Sequence, residues 1–273
     1  MRRRIAGMVV VITGASAGIG RQLAIDLHAR GAKLTLAARR ADKLDELNRQ
    51  LGGEHLCVAA DVSRESDCQR LILAAEERFG RIDTLVANAG YGFPAKVHEG
   101  RREQMLEILH TNVLGTLDCA RFALPIMLKQ PPRDGWRGQV MIVSSAAARR
   151  GLPYLGAYSA TKAAQLSLAE AMRVELREEG VAVTSVHPIG TETDFFQVAE
   201  SLGGMRLETS SRRSFRQPVT RVTRAMVRGI ERPKREVWTS LPTRVALALN
   251  ALFPSIGDLI MRQMKRQLEA MNR

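Results

Sequence analysis

Tyr158 and Lys162 are the two side chains whose types and spacing could move a proton. They lie in the stretch AYSATKAAQLSL, which begins at residue 157, and their separation of four places both on one face of a helix. A free tyrosine has a pKa of about 10, and a cation within reach favours the phenolate and lowers that value. The pair therefore predicts a general acid and base for a carbonyl or alcohol oxygen. The spacing alone is common on helices, so an ordinary amphipathic surface is the alternative.

A glycine-rich turn near the start of the chain predicts a dinucleotide site. The stretch TGASAGIG, Thr13 to Gly20, joins an apolar strand to a helix. Its glycines let the backbone approach a pyrophosphate, which the free N–H groups and the positive dipole end of the helix would bind. The predicted contacts are Gly14, Ser16, Ala17, Gly18, Ile19 and Gly20.

Apolar strands alternate with helices along the chain, beginning with MVVVIT at residue 8 and AKLTLAA at residue 32. Such strands require a parallel sheet that is covered by helices on both faces. We therefore predict an α/β fold, a doubly wound parallel sheet of the Rossmann type, in a single domain over residues 1–273. One long helix is expected from about Arg102 to Lys129, and a C-terminal helical extension over 240–273.

The positive charge of the chain is concentrated at its C-terminal end. Of a formal net charge of +13, residues 201–273 carry +10. Such an end could meet anionic lipid, an acidic substrate or nucleic acid, or it could be solvated basic surface. Nucleic acid is not expected, because aromatic residues for base stacking make up only 4% of the chain.

The cysteines and the N-terminus predict a cytoplasmic protein. Cys57, Cys68 and Cys119 are odd in number and lack metal-ligand spacing, which favours free thiols in a reducing compartment and no metal site. The basic start MRRRIAG is followed by an apolar run that is too short for a signal peptide and leads into the first strand. No apolar segment reaches the roughly 20 residues that a spanning helix needs.

Three motifs together resemble the short-chain dehydrogenase/reductase family. They are the GxxxGxG spacing of the turn, the NAG sequence at 88–90 and the YxxxK of Tyr158 and Lys162. The resemblance covers nearly the whole chain, clearly to about residue 195. It implies that Lys162 also binds the ribose of a nicotinamide cofactor and that Asn88, Ala89 and Gly90 support the sheet beside that cofactor. It also implies a homodimer or homotetramer.

The resemblance extends the catalytic set by two residues. A serine thirteen positions before the tyrosine would hold the carbonyl oxygen as charge develops there, and that position is Ser145. Ser144, its neighbour, is expected to be structural. Asn112, in the sequence HTNVLGTL, would keep a water that links the lysine to solvent. The alternative for Asn112 is a partly exposed polar residue inside a helix.

The end of the second predicted strand favours NADP(H) over NAD(H). NAD-preferring proteins place an acidic residue there for the ribose 2′-hydroxyl, and this sequence has Ala38 followed by Arg39. A guanidinium suits a 2′-phosphate. Arg40 is a weaker candidate, since it could simply be the basic end of a loop. The resemblance places Asp61 and Val62 by the adenine, although Asp61 could equally cap the following helix.

The segment after the sixth predicted strand departs from the family pattern. The family has proline-glycine followed by threonine, whereas this chain has Pro188, Ile189 and then Thr193. Thr193 or Thr191 would contact the nicotinamide carboxamide, and Ile189 would contribute its backbone. Residues 189–218 begin at the carboxyl end of a strand and are the candidate substrate lid, with Phe195, Phe196 and Phe215 as large apolar anchors.

The C-terminal tail is apolar, contains Pro254 and is flanked by basic residues such as Arg262, Lys265 and Arg266. Two interpretations stay open: two short helices packed on the core or on a partner subunit, or a peripheral membrane contact with cations near the headgroups. A membrane contact would suit a lipophilic substrate, such as a lipid or steroid-like ketone, and an acyl compound is also compatible.

The residues together predict an NADP(H)-dependent oxidoreductase that acts on a carbonyl or secondary alcohol, with Tyr158 as general acid and base. The alternative is a catalytically silent NADP(H)-binding regulatory protein. Such a protein would need the glycine turn but not Tyr158.

Overall fold

The computed structural model describes residues 2–207 and 216–273 and contains a seven-stranded parallel sheet in the order β3-β2-β1-β4-β5-β6-β7. The strands are β1 (Val9–Thr13), β2 (Lys33–Ala38), β3 (Leu56–Ala59), β4 (Thr84–Ala87), β5 (Gly138–Val143), β6 (Val181–His187) and β7 (Glu236–Trp238). The chain runs outward from β1 to β3 and then returns to the other side of β1 with β4. This reversal leaves a crevice at the carboxyl ends of β1 and β4, where ligands of such sheets bind.

Helices cover both faces of the sheet, as the continuous apolar strands require. In the described residues they are α1 (Gly18–His28), α2 (Ala41–Gln50), α3 (Glu65–Phe79), α4 (Arg102–Leu109), α5 (Gly115–Lys129), α6 (Gly156–Glu175), α7 (Phe195–Gly203), α8 (Val219–Glu231), α9 (Leu241–Leu252) and α10 (Pro254–Met271). The helices α1, α2 and α8 bury apolar side chains against one face, and α3, α5 and α6 against the other. The predicted Rossmann architecture is confirmed, and the assignment of all 273 residues to one domain stays a prediction.

The prediction of one uninterrupted helix from Arg102 to Lys129 is wrong, because a turn of another kind divides it. Between α4 and α5 the backbone forms a π-helical turn, His110–Leu114, in which the N–H of Gly115 bonds to the carbonyl of His110, five residues back. Asn112 lies in this turn and is fully buried. Its side chain bonds to backbone and side-chain groups outside the helix, and such contacts stabilise a turn that local helix propensity does not predict.

The basic N-terminal lead is partly buried. Arg3 is 1% exposed, its backbone N–H bonds to the carbonyl of Glu231, and its guanidinium bonds to the Asp83 carbonyl at 2.8 Å and to Gln139 Oε1 at 2.9 Å. The first strand is therefore preceded by a charged brace between β4, β5 and α8. The charge pattern alone does not distinguish this brace from a solvated tail.

The predicted lid from 189 to 218 includes helix α7 in its described part. Phe195 and Phe196 begin that helix, whereas Phe215 lies outside the described residues. A short isolated bridge between Thr191 and Gln217 joins the two described ends of the segment.

The C-terminal extension consists of α9 and α10, as the sequence predicts, and the two helices bend by 118° at Phe253. They cross closely at Gly257, because a Cβ added there would lie 1.4 Å from Asn250 Oδ1. Within the described ranges no single helix is long and apolar enough to cross a membrane, although this bent pair meets that length and composition when taken together.

Candidate active site

A cavity of about 820 Å³ opens at the crevice predicted by the strand order. One end is formed by the glycine turn and the ends of β2 and β3, and the middle by the NAG sequence, β5 and α6. The other end is formed by α7 and the two C-terminal helices. Nearly all the predicted cofactor residues line it: Gly14, Ser16, Ala17, Gly18, Ile19, Arg39, Arg40, Asp61, Val62, Asn88, Ala89, Gly90, Tyr158, Lys162, Pro188, Ile189, Thr191 and Thr193.

The glycine turn packs closely against the neighbouring backbone. Gly14 has a φ of +67°, and a Cβ there would lie 2.9 Å from the Cα of Ala89. Gly20 lies behind the cavity wall, where a Cβ would approach Gly14 O to 2.3 Å. Close packing of α1 on the turn thus requires glycine, and it leaves the N-terminus of α1 free to face a pyrophosphate. The residues present fit the dinucleotide that the sequence predicts.

Asn88 fixes the distance between the glycine turn and β4. Its side-chain amide donates to the carbonyl of Thr13 at 2.9 Å, and its backbone N–H donates to Thr13 Oγ1 at 3.0 Å. The supporting role that the resemblance implies for this residue is compatible with these bonds.

The end of β2 presents cations rather than a carboxylate to the cavity. Ala38 is at the strand end, and both Arg39 and Arg40 are exposed at the cavity mouth. Arg40 donates to Ser16 Oγ at 3.3 Å and so ties this loop to the glycine turn. Arg39 lines the cavity next to Ala38, at the end of β2.

The contacts of Asp61 bear on both roles considered for it, a contact with the adenine and a cap of the following helix. Its Oδ1 accepts bonds from the N–H and the hydroxyl of Ser63, at 3.0 and 2.8 Å, in a turn that precedes α3. It is not the N-cap residue of α3, which is Arg64. Asp61 and Val62 both line the cavity next to the end of β2.

Tyr158 lies in the first turn of α6, half-buried, with its ring against Phe195 at a centroid distance of 5.2 Å. Burial raises the pKa of Tyr158 to about 12, and a hydrogen bond with the Ser145 side chain acts in the opposite direction. This direction is opposite to the lowering that the Tyr-Lys spacing predicts. Burial is the larger effect, and the Lys162 ammonium bonds to Val143 and Gln165 rather than to the phenol, with Nζ 5.6 Å from the Tyr158 ring centroid.

Ser145 follows β5 and caps a 3₁₀ turn, Ala146–Ala148, whose Ala147 N–H donates to Ser145 Oγ at 3.1 Å. The hydroxyl lines the cavity beside Tyr158. Ser144 also borders the cavity but is buried, and its hydroxyl donates to the carbonyl of Lys162 at 2.8 Å, which holds the end of β5 against α6. The structural role expected for Ser144 agrees with this contact.

Lys162 is a buried ammonium held by neutral oxygens. The residue is 4% exposed, and its Nζ donates to the carbonyl of Val143 at 2.9 Å and to Gln165 Oε1 at 2.8 Å. Burial alone lowers the pKa of Lys162 to about 7. Proton uptake by this group is therefore centred near neutral pH in the protein without cofactor.

Asn112 is behind the cavity wall and does not line it. Its Nδ2 donates to the carbonyl of Tyr91 and to Thr161 Oγ1, each at 3.0 Å, and its Oδ1 accepts from the Tyr91 N–H at 3.1 Å. The alternative of a partly exposed polar residue is wrong, since every polar side-chain atom of Asn112 is engaged. These bonds link the π turn to the loop after β4 and to α6.

The loop after β6 contains the remaining predicted contacts, and these residues have different partners. Thr193 lies against the glycine turn, where a Cβ on Gly18 would be 3.2 Å from its Cγ2. Thr191 donates its hydroxyl to the carbonyl of Ile189 at 2.8 Å and is buried. The carbonyl of Pro188 accepts the N–H of Ala146 at 2.9 Å and so fixes this loop to the end of β5.

Two buried residues that sequence reasoning missed contact the predicted catalytic set. His187, at the end of β6, stacks on Trp238 at 4.4 Å, and its Nδ1 lies 3.2 Å from the carbonyl of Ser145. Gln165 contacts Lys162 from one turn further along α6. Gln165 lies one turn after the YxxxK lysine, a spacing that indicates a contact between these two side chains, whereas its bond to Asn112 has no signal in the local sequence.

A parallel sheet in this strand order, with a glycine turn after β1, defines the Rossmann class of dinucleotide-binding proteins. A family model described as short chain dehydrogenase matches residues 8–201. The chain belongs to the short-chain dehydrogenase/reductase family, as its motifs predict, and hence to a family of nucleotide-binding oxidoreductases.

The chain is similar to relatives in plants and in bacteria. It is 36% identical to 11-beta-hydroxysteroid dehydrogenase-like 4A of Arabidopsis thaliana, over 93% of this chain and 83% of that protein. It is 34% identical to 11-beta-hydroxysteroid dehydrogenase A of Sesamum indicum, over 95% of this chain and 76% of that protein.

Solved structures show the same likeness. A short chain dehydrogenase/reductase of Burkholderia phymatum in complex with NAD superposes with a TM-score of 0.83 at 26% identity, over 93% of this chain and 96% of that one. A 3-ketoacyl-(acyl-carrier-protein) reductase of Brucella melitensis complexed with NADH has a TM-score of 0.76 at 26% identity, over 86% and 97% of the two chains.

Replacing Lys162 with methionine is expected to stabilise the cofactor-free protein more at pH 6 than at pH 9. Burial lowers the pKa of Lys162 to about 7 in the folded chain. Between pH 7 and the higher pKa of the same side chain in the unfolded state, Lys162 is therefore protonated when the chain is unfolded and neutral when it is folded. The cost of the buried charge is thus fully present below pH 7 and fades as the pH rises. The extra gain at pH 6 is about 2–3 kcal/mol in the free energy of unfolding, measured by chemical denaturation.

The control is Lys129→Met, which removes an exposed lysine at the end of α5. We expect it to show no such difference between the two pH values. Equal gains for Lys162→Met at pH 6 and pH 9 would contradict the buried charge.

Proposed function

We propose that the chain is an NADP(H)-dependent oxidoreductase that interconverts a carbonyl and a secondary alcohol, with Tyr158 as general acid and base. The observation that carries this proposal is the arrangement along one cavity. Tyr158, Ser145 and Lys162 line its middle, the glycine turn and Arg39 one end, and apolar side chains the other. A silent regulatory protein would not need a phenol and a serine side by side at the junction of the two ends.

The chain's own groups account for the proton and the charge. The chemistry that a nicotinamide cofactor supplies when bound is hydride transfer to or from carbon. In reduction, the Tyr158 hydroxyl donates its proton to the carbonyl oxygen, and in oxidation the phenolate takes the proton back from the alcohol. The Ser145 hydroxyl donates a hydrogen bond to the same oxygen as negative charge develops on it. By resemblance, Lys162 binds the nicotinamide ribose. Asn112 does not line the cavity and acts indirectly, through its hydrogen bonds to Tyr91 and Thr161.

Preference for NADP(H) is supported by the end of β2. Ala38 removes the carboxylate that would hold a ribose 2′-hydroxyl, and Arg39 offers a planar fork for a phosphate. The two similar solved structures contain NAD and NADH. The preference for NADP(H) thus depends on the residues of this chain alone. We assign Ser16, Arg40, Asp61, Val62, Ile189 and Thr193 to further cofactor contacts.

A lipophilic substrate suits the other end of the cavity. Leu155, Leu207 and Phe196 form an apolar cluster there, and Leu247 and Met261 of the C-terminal helices complete the wall. A lipid or steroid-like ketone fits such a surface better than a small polar carbonyl, and an acyl compound is compatible. The plant relatives named as hydroxysteroid dehydrogenases support this class.

We assign the C-terminal helices to a peripheral membrane contact of a cytoplasmic enzyme. Large apolar side chains project from them into solvent: Leu241, Val245, Leu249, Leu252, Phe253, Ile256, Leu259 and Ile260 are each at least half exposed. Basic side chains follow on α10, which suits anionic headgroups. The same helices line the cavity through Thr243, Leu247 and Met261, so a substrate dissolved in the bilayer would have a short path to the site. A homodimer or homotetramer is expected by resemblance.

Tyr158→Phe tests the assignment of the acid. We expect NADPH oxidation with a panel of ketones to fall by about 10²–10⁴-fold, the usual contribution of a general acid, while NADPH binding persists. Tyr154→Phe is the control, since the Tyr154 hydroxyl bonds to Glu269 outside the cavity. Equal rates in wild type and Tyr158→Phe would refute the role of Tyr158, and no turnover with any substrate would favour the regulatory alternative.

Arg39→Ala tests the cofactor preference. Loss of hydrogen bonds to a charged phosphate is expected to weaken NADPH binding by about tenfold or more, while NADH binding is unchanged. Arg49→Ala removes an exposed arginine of α2 outside the cavity and should alter neither affinity. Titration of intrinsic fluorescence with both cofactors measures the ratio, and an unaltered preference in Arg39→Ala would exclude the phosphate contact.

Replacing Leu252 and Phe253 together with glutamate tests the membrane contact. We expect flotation with vesicles of phosphatidylcholine and phosphatidylserine to fall by at least about tenfold, because two large apolar side chains no longer enter the interface. Leu73→Glu, at a half-exposed leucine of α3, is the control and should float as the wild type does. Unchanged flotation of the double variant would exclude these helices as the contact.

A further inference from the structure

Gln165 joins Lys162 to the π turn through its side-chain amide. Its Oε1 accepts a hydrogen bond from Lys162 Nζ at 2.8 Å, and its Nε2 donates to the main-chain carbonyl of Asn112 at 2.6 Å and to Thr116 Oγ1 at 2.8 Å. The side chain is fully buried. One amide therefore spans the gap between the lysine and the Asn112 carbonyl.

The orientation of this amide is determined by its partners. Lys162 offers only donors, and the Asn112 carbonyl offers only an acceptor. A rotated amide would place its NH₂ group against an ammonium and its oxygen against a carbonyl oxygen. Because both contacts would then be repulsive, the observed arrangement is the one that leaves no polar atom of Gln165 unsatisfied.

Among the described residues, few charged or titratable groups face Lys162. The titratable group that faces it from α6 is Tyr158, and β5 and Gln165 present it with neutral oxygens. No carboxylate among the described residues forms an ion pair with Lys162, and burial is the cause of its lowered pKa. Each neutral acceptor therefore contributes substantially to keeping the lysine protonated.

We propose that Gln165 is a positioning residue, which holds the Lys162 ammonium in place and joins it directly to the Asn112 carbonyl where the family resemblance implies a water. This inference depends on the proposed function. An amide does not ionise near neutral pH, so this link orients and stabilises the lysine without passing a proton to solvent. The proton that Tyr158 donates is then replaced through the open cavity rather than through the π turn.

Two near-isosteric replacements at this position should move Lys162 in opposite directions. Gln165→Met removes an acceptor from a buried cation, so the pKa of Lys162 falls by about one pH unit, the size expected for one hydrogen bond to a charged group. Gln165→Glu places a carboxylate beside the ammonium, so the pKa rises by at least as much. Titration of the Lys162 ¹³Cε signal in the cofactor-free full chain measures both shifts.

Thr116→Val is the matched control, because it removes the Thr116 hydroxyl from the Asn112 carbonyl and from Gln165 Nε2, while the bonds of Gln165 to Lys162 and to the Asn112 carbonyl remain. We expect the control to leave the Lys162 titration unchanged, with thermal unfolding confirming that each variant is folded. A role limited to packing would lower the melting temperature without opposite shifts. Unchanged titration in a folded Gln165→Met or Gln165→Glu variant would overturn the proposal.

Turnover supplies a second readout that separates the two proposals. In Gln165→Met the pH midpoint of alcohol oxidation should rise, since a less cationic Lys162 favours the Tyr158 phenolate less. If the wild type oxidises no alcohol, the proposed function fails, while the Lys162 titration still tests Gln165. If the wild type is active and the midpoint does not move in Gln165→Met, the positioning role fails and the function stands.

Discussion

The site depends on one ammonium, that of Lys162, buried between the sheet and helix α6. A charge removed from water needs polar partners, and here these are the carbonyl at the end of β5 and the amide of Gln165. Several irregular features of the fold converge on this requirement. β5 ends at Val143 with its carbonyl turned to the lysine, Ser144 bonds back to the Lys162 carbonyl, and the π turn supplies the carbonyl that holds Gln165.

Burial shifts the pKa values of Tyr158 and Lys162 in opposite directions. Burial disfavours the charged form of each group, so the phenol becomes a weaker acid and the ammonium a stronger one. In the protein without cofactor the pair is therefore poised as neutral phenol and half-neutral amine. The hydrogen-bond partners of the Lys162 ammonium determine how readily the lysine loses its proton, and so how strongly its charge stabilises the Tyr158 phenolate. Residues that contact Lys162, such as Gln165, therefore affect both groups.

The parts that could be predicted from sequence are those set by local pattern. The strand periodicity, the glycine turn and the Tyr158–Lys162 spacing each concern neighbours within one element, and the fold and the family followed from them. The π turn at Asn112, the buried brace of Arg3 and the bridge of Gln165 could not be predicted, because each depends on partners distant in sequence. Gln165, for example, bonds to a carbonyl 53 residues earlier, and its neighbours in sequence carry no trace of that contact.

The two ends of the cavity also differ in how far the local sequence predicts them. The cofactor end is built from backbone at a glycine turn and from strand ends, so few side chains determine it and a short motif predicts it. The proposed substrate end is built from α7, α9 and α10, and contacts between residues distant in sequence hold it in place, such as Tyr154 with Glu269 and Arg206 with Asn272. None of these contacts involves the sheet or Lys162, so these helices can change without disturbing either. The proposed substrate range and the proposed membrane contact can therefore vary together, while the surroundings of the buried Lys162 stay unchanged.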